Sequence, residues 1–235
     1  MIPKKIHYCW FGDKPFPELT LRCMESWKKC CPGWEVVRWD ESNSLPLETA
    51  YPRQAYEAGK WAFVSDYVRL KALWEQGGVY LDTDVELTAS LDDLLEQEGF
   101  CGFESAEKVA TCLIACTPGH PLIGRMLEEY ESLSFLREDG SLDCTTNVER
   151  VTALLKKKGL VPDGTVQTVD GLTVYPPDWF SPKDLTTGKI TRTPNTRSIH
   201  HFKASWMTRR QRFHTFVAQC IGPAWTKRLK GMRKS

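Results

Sequence analysis

An α/β fold with a mostly parallel sheet flanked by helices is what this 235-residue sequence predicts. Three observations predict it. The N-terminus alternates strand, helix and strand patterns, as a right-handed parallel crossover requires. A long helical pattern, residues 53–78, runs into the apolar run Val79-Tyr80-Leu81 through Gly77-Gly78. That run ends on two carboxylates, Asp82 and Asp84, and ligands of open α/β sheets gather at the carboxyl ends of strands.

The elements follow in order. "KKIHYCWFG" (4–12) is β-branched and aromatic and closes on glycine, a first strand. "PELTLRCMESWKKCCPGW" carries Pro17 near its start, an apolar face of Leu19, Cys23, Met24 and Trp27, and a Pro32-Gly33 stop, so it reads as a helix. "WEVVRWD" (34–40) is a second strand, and residues 41–53, with Ser, Asn and Pro, read as loop. The 53–78 pattern divides near Gly59 into two helices. "LDDLLEQ" is a short helix, and "GFCGFES" and "VATCLIACTPGH" are strands. "PLIGRMLEEYESL" and "TTNVERVTALLKKKG" are helices, and "TVQTVDGLTVYPPDWFSP" is a hairpin turning on Asp170-Gly171. "SIHHFKASW" (198–206) is a late strand.

Composition bounds what the chain does. Its net charge of +1 gives no general affinity for polyanions, so nucleic acid is not an expected partner. The exception is the end of the chain: residues 206–235 hold Arg209, Arg210, Arg212, Lys227, Arg228, Lys230, Arg233 and Lys234 with no acid, interleaved with Phe213, Phe216, Val217, Ile221, Trp225 and Leu229. Such a segment either lies on an anionic membrane surface or is a solvated helical end packed on the body. The nine cysteines contain no C-x-x-C pair, a pattern of buried thiols in a reducing compartment rather than of a disulfide frame or zinc site. With no apolar run near spanning length, the expectation is a cytoplasmic protein, peripheral to the inner face of the membrane if the tail binds there.

Alternation on an extended strand would put Asp82 and Asp84 on one side. Two hard oxygen ligands at that edge suit Mg²⁺ or Mn²⁺, which shares its shell with substrate phosphates. A bare D-x-D also arises as a helix cap, and in some phosphohydrolases and phosphotransferases it supplies an aspartyl nucleophile. Here Val-Glu follows the pair, and it lies far from the first strand. Upstream, Asp66 and Arg69 share a helix face at i and i+3. Downstream, His200 and His201 sit on the last core strand, where adjacent side chains point to opposite faces.

"IHYCWFG", "FVSDYVRLKALWEQGGVYLDTDVEL" and "IHHFKASW", in this order, resemble the DXD-containing glycosyltransferases of family 32, with more distant likeness to the glucosylating domains of clostridial toxins. The resemblance spans roughly residues 1 to 206, leaving 207–235 as a basic, partly apolar tail expected to be helical. It implies a GT-A fold, Rossmann-like, with a smaller C-terminal region on the acceptor side. It also implies a retaining enzyme that moves a sugar from a nucleotide-diphosphate donor, UDP-sugars favoured, to a hydroxyl of a glycan or lipid-linked glycan, as in capsular polysaccharide synthesis. On this resemblance Trp10 stacks on the base, with Tyr8 or Cys9 beside it through the backbone. Asp66 and Arg69 hold the donor sugar, Tyr80 lies near ribose or phosphates, Asp82 holds ribose or metal-bound water, and Asp84 binds Mn²⁺ or Mg²⁺. His201 aligns with a metal-binding histidine and is preferred over His200, although Ala204 stands where the pattern has glycine. Ser205 and Trp206 contact metal and diphosphate. A nucleotide-sugar-binding module without turnover is the remaining alternative.

Overall fold

Strand β1, Lys5–Cys9, buries its last four residues in the larger sheet, one strand in from its edge. The computed structural model of the chain describes residues 1–185 and 187–203. Helix α1, Glu18–Cys30, starts after Pro17, carries Lys28 and Lys29 in its last turn where they favour the dipole, and buries Thr20, Cys23 and Trp27. Strand β2, Glu35–Trp39, returns parallel to β1 with Lys5 opposite Glu35 and Cys9 opposite Trp39. The stretch read as loop contains a one-turn helix, α2 (Glu41–Ser44), begun by a capping box on Asp40, and the first residues of α3, Ala50–Glu57. Asp40 and Asn43 satisfy backbone donors there reciprocally, so polar residues that look like a loop hold a turn of helix. Gly59, at φ +65°, divides α3 from α4, Trp61–Gln76, as the sequence predicts.

Helix α4 passes into β3, Gly78–Leu81, through two glycines with positive φ. A Cβ on Gly77 would lie 2.6 Å from Pro118 Cδ, and one on Gly78 would lie 2.7 Å from the Lys5 carbonyl oxygen. Only glycine permits this abrupt entry, which fixes where β3 begins. Strand β4, Val85–Leu87, follows, then a 3₁₀ turn at Asp92–Leu94, β5 (Gly99–Ser105) and β6 (Lys108–Cys116). Helices α5 (Pro121–Glu131) and α6 (Asn147–Lys157) are succeeded by the hairpin β7 (Gln167–Val169) and β8 (Leu172–Tyr175). Its turn residues Asp170 and Gly171 have φ of 45° and 82°, the geometry an Asp-Gly hairpin turn demands. A short helix α7, Pro177–Phe180, and the strand β9, Ser198–His200, complete the described chain.

The seven-stranded sheet has the order β2-β1-β3-β6-β5-β8-β7. Strands β2, β1 and β3 are parallel, and β6 runs against both β3 and β5. Strand β8 is parallel to β5, and β7 opposes it. Five strands therefore point one way, and β3 and β5 end at the same edge although β6 separates them. A second, two-stranded sheet joins β4 to β9, with Val85 opposite His200 and Leu87 opposite Ser198.

Alternation sorts the core into two layers. Tyr80, Ile114 and Phe103 face Leu70, Leu73, Tyr130 and Phe135 under α3 to α6. Val79, Leu81, Phe100 and Leu113 face Trp27, Val85 and Phe180 on the other side. Trp27 Nε1 donates to the Val85 carbonyl at 2.7 Å and so ties α1 to β4. Of the eight described cysteines six are buried, while Cys30 is half-buried and Cys144 exposed. No described helix is long and apolar enough to cross a membrane.

His7, fully buried in β1, donates from Nε2 to the Gly77 carbonyl at 2.8 Å and accepts at Nδ1 from Trp39 Nε1 at 3.0 Å. A carbonyl only accepts and an indole only donates, so this ring is neutral and its tautomer is fixed. Burial pushes its pKa down to about 4. The unfolded chain takes up a proton that the folded ring refuses, so stability falls as pH drops from about 6.5 towards 4. The expected loss is on the order of 2 to 3 kcal/mol. Urea denaturation at pH 7 and pH 4.5 checks this, with a smaller pH loss expected in His7→Gln. Gly78→Ala is expected to destabilise by about 2 kcal/mol or more, read from the same curves.

Candidate active site

Asp82 lies one residue beyond β3 and Asp84 one residue before β4, so the pair occupies the turn between the two sheets. The Asp82 N–H donates to the Cys112 carbonyl at 2.8 Å, and the Val85 N–H closes the turn on the Asp82 carbonyl at 3.0 Å. The carboxylates converge because the chain bends there. The continuous strand that would have aligned them by alternation is absent, since the main ladder with β6 ends at Leu81.

Arg69 anchors one side of the turn. It is 5% exposed on the buried face of α4, and its Nη2 sits 2.9 Å from Asp66 Oδ1, the i, i+3 pairing expected. Its Nη1 lies 3.3 Å from Asp82 Oδ1 and donates to the Thr111 carbonyl at 2.8 Å. Nε donates to the Ser65 carbonyl at 3.2 Å, and the guanidinium lies over the Tyr80 ring, 4.5 Å from its centroid. The Tyr80 hydroxyl donates to Asp82 Oδ1 at 3.1 Å. Burial raises the Asp66 carboxyl to about 6, with Arg69 acting in the opposite direction. Nearly every donor of Arg69 is thus engaged by protein, and its place is to fix Asp66 and Asp82 rather than to reach out itself.

The other side is built by β9. His200 Nε2 is 3.3 Å from Asp84 Oδ1, and the Lys203 N–H donates to Asp84 Oδ2 at 2.7 Å. His201, the histidine preferred from the sequence, turns away: its Nε2 is 2.8 Å from Glu86 Oε2. The register explains the exchange. His200 stands opposite Val85, next to Asp84, and the following residue faces the other way. The ligand atoms of Asp82, Asp84 and His200 lie within 4.8 Å of one another. Burial opposes the charge on both partners, yet the His200 ring holds the Asp84 carboxyl down to about 2. Burial likewise works to lower the His200 pKa, but the Cys112 sulfur and the Asp84 carboxylate outweigh it and hold it well above the ordinary value. His200 Nδ1 is buried and has no partner among the described residues.

Two carboxylates and an imidazole at this spacing fit a divalent cation of the Mn²⁺ or Mg²⁺ type. The donor set is Asp82, Asp84 and His200.

Beyond the carboxyl end of β1, Trp10 donates from Nε1 to the Lys14 carbonyl at 2.8 Å and packs on Phe16. Beside it an open cleft is lined by Gly12, Asp13, Lys14, Glu41, Tyr56 and Trp61. Tyr8 packs on Trp27 and Phe16, on the layer away from Arg69. Cys9 is buried, and burial pushes its thiol up to about 12. Ser205, Trp206 and the basic tail lie outside the described residues.

The sequence reading passed over Trp61 and Asn147. Asn147 begins α6 and is 3% exposed; its Nδ2 has no partner among the described residues, and its backbone N–H acts on Asp66. Neither carries a local signal, because Trp61 joins the site by its approach to Gly12 and Asn147 by the packing of α6 on β6.

Residues 17–101 match the family model described as glycosyltransferase sugar-binding region containing DXD motif. The chain is 28% identical to inositol phosphoceramide mannosyltransferase 3 of Schizosaccharomyces pombe over 138 residues, 57% of this chain and 38% of that protein. It is 24% identical to subversion of eukaryotic traffic protein A of Legionella pneumophila over 197 residues, 67% of this chain and 30% of that protein. The chain therefore spans well under half the length of these relatives. Among solved structures, PaToxG glycosyltransferase superposes with a TM-score of 0.52 at 18% identity, covering 67% of this chain and 70% of that one. That likeness bears out the α/β fold of GT-A type, and the family match bears out the DXD-glycosyltransferase resemblance.

The Asp84 carboxylate beside His200 favours the protonated ring, and a cation bound there competes with that proton. Mn²⁺ binding is expected to release protons and to tighten as pH rises. Calorimetry in buffers of different ionisation enthalpy checks it.

Proposed function

We propose that the protein is a glycosyltransferase that moves a sugar from a nucleotide-diphosphate donor to a hydroxyl of a glycan or lipid-linked glycan. The donor favoured is a UDP-sugar, the cofactor Mn²⁺ or Mg²⁺, and the anomeric configuration is retained. The observation that carries this reading is the convergence of Asp82, Asp84 and His200 at the carboxyl edge of the sheet, braced by Arg69.

A divalent cation held there would offset the charge that develops on the departing diphosphate. Asp84 and His200 would hold it directly, and Asp82, kept in place by Arg69 and Tyr80, would contribute an oxygen or order its water. The cleft beside Trp10, with Tyr56 and Trp61, is the aromatic surface for the base. Asp66 and the Asn147 Nδ2, without a partner among the described residues, would orient the sugar hydroxyls. A phosphohydrolase reading is disfavoured by position: its aspartyl nucleophile follows the first strand, whereas this pair follows β3 and runs on into Val-Glu.

The acceptor side and cellular place belong to the same proposal: a cytoplasmic enzyme whose basic segment 207–235 touches an anionic membrane. A mannosyl donor is the second reading, favoured by the mannosyltransferase names of two S. pombe relatives, each 28% identical over 138 residues.

The test is a panel of UDP-galactose, UDP-glucose, their N-acetyl forms and GDP-mannose, each with Mn²⁺ or Mg²⁺, read by release of nucleoside diphosphate. One donor is expected to respond. Asp84→Asn is expected to lower turnover by roughly 100-fold or more while thermal unfolding stays close to wild type. Wild-type turnover in that variant would refute the site. Release of inorganic phosphate would point to a hydrolase, and binding without release to a module.

A further inference from the structure

Strand β5 runs parallel to β3 with β6 between them, so the end of β5 shares the edge that carries Asp82. Along β5, Cys101 and Phe103 face the layer under α3 to α6, whereas Phe100 belongs to the opposite layer. A Cβ on Gly102 would lie 2.8 Å from Phe180 Cδ2, on that same opposite side. Glu104 continues the Phe100–Gly102 series and so faces the side where β4 and β9 bring Asp84 and His200. Register shifts flank Phe103 at this end of the strand, and bulges of this kind re-aim side chains at functional edges.

The surroundings of Glu104 agree with this placement. It is half-buried, and burial raises its carboxyl above the ordinary value. The charges that act on it are those of His200, Lys108 and Asp82. Among the described residues its carboxylate has no hydrogen bond or ion pair. In contrast, Asp66 and Asp82 are paired with Arg69, and Asp84 with His200. A partly desolvated carboxylate with unused acceptor capacity calls for a donor beyond the described residues, and a bound hydroxyl is one.

Position indicates which donor. Across the sheet, the aromatic cleft lies beyond β1 and the cation-binding turn follows β3. Two strand spacings past Asp82, roughly 10 Å, bring the edge to Glu104. Along that line a nucleotide comes first, then its diphosphate, then the sugar with the hydroxyl that attacks it. Building on the transferase reading, we propose that Glu104 accepts a hydrogen bond from the attacking hydroxyl of the acceptor, a neutral polyhydroxyl molecule, and thereby holds it against the donor sugar. No proton transfer is required of it, and the same negative charge would disfavour an anionic acceptor.

Water takes the place of that hydroxyl when no acceptor is supplied, so slow donor hydrolysis is the assay. Glu104→Ala and Glu104→Gln are compared with wild type in the presence of Mn²⁺ and the donor that responds in the panel. Affinity for the nucleoside diphosphate with Mn²⁺ is expected to stay within about twofold, and the donor KM to be unchanged. The kcat for hydrolysis is expected to fall roughly tenfold to a hundredfold in Glu104→Ala, the scale of one hydrogen bond to a charged group. Glu104→Gln is expected to retain more activity, because its amide oxygen still accepts. Wild-type kcat in both variants overturns the inference. So does a loss of nucleotide or Mn²⁺ affinity matching the loss of rate, which would place Glu104 in the donor grip. A wild-type protein that neither binds nor hydrolyses any donor removes the transferase reading itself, a separate failure.

Discussion

A buried guanidinium holds this site in shape. Arg69 is bracketed by Asp66 on its own helix and Asp82 at the end of β3, and two backbone carbonyls take further donors. Burying a cation is costly unless its partners and hydrogen bonds are complete, and here they nearly are. The result is that α4, β3 and β6 meet at one charge. Asp82 cannot turn away without leaving that charge short of a partner, and Tyr80 secures the same oxygen from below.

The second half of the site depends on a different constraint, the bend between the sheets. Because the ladder ends at Leu81 and a new one begins at Val85, three residues turn the chain and aim both carboxylates inward. Strand β9 then completes the set by pairing with β4, so the last described strand supplies the only ring nitrogen close to both acids among the described residues. The His200–Asp84 contact and the turn between the sheets gather these ligand atoms through the fold itself.

Fold and site were legible to different degrees. The Asp-Gly hairpin, the glycine break after α3 and the two-glycine entry to β3 were readable because each depends on backbone conformations that few residues adopt. Asp66 and Arg69 could be paired from helix spacing alone. The choice between His200 and His201 could not be made in that way, since it rests on the register between β4 and β9, strands more than a hundred residues apart. Strand β4 itself was hidden, because Val-Glu-Leu is short and continues the β3 alternation past Asp82-Thr83-Asp84.

What the sequence determined by itself was local: which segments form helices and strands, where glycine must stand, and that paired acids end a buried strand. These follow from short-range sterics, hydrogen bonding and hydrophobic periodicity, all written in neighbouring residues. What only the tertiary structure decided was meeting across distance. The direction of β6, the second sheet and the packing of α6 on β6 bring Glu104, His200 and Asn147 to the edge that holds Asp82. Strand order and register fix those approaches, and they are set by the burial of whole faces rather than by any residue taken with its neighbours.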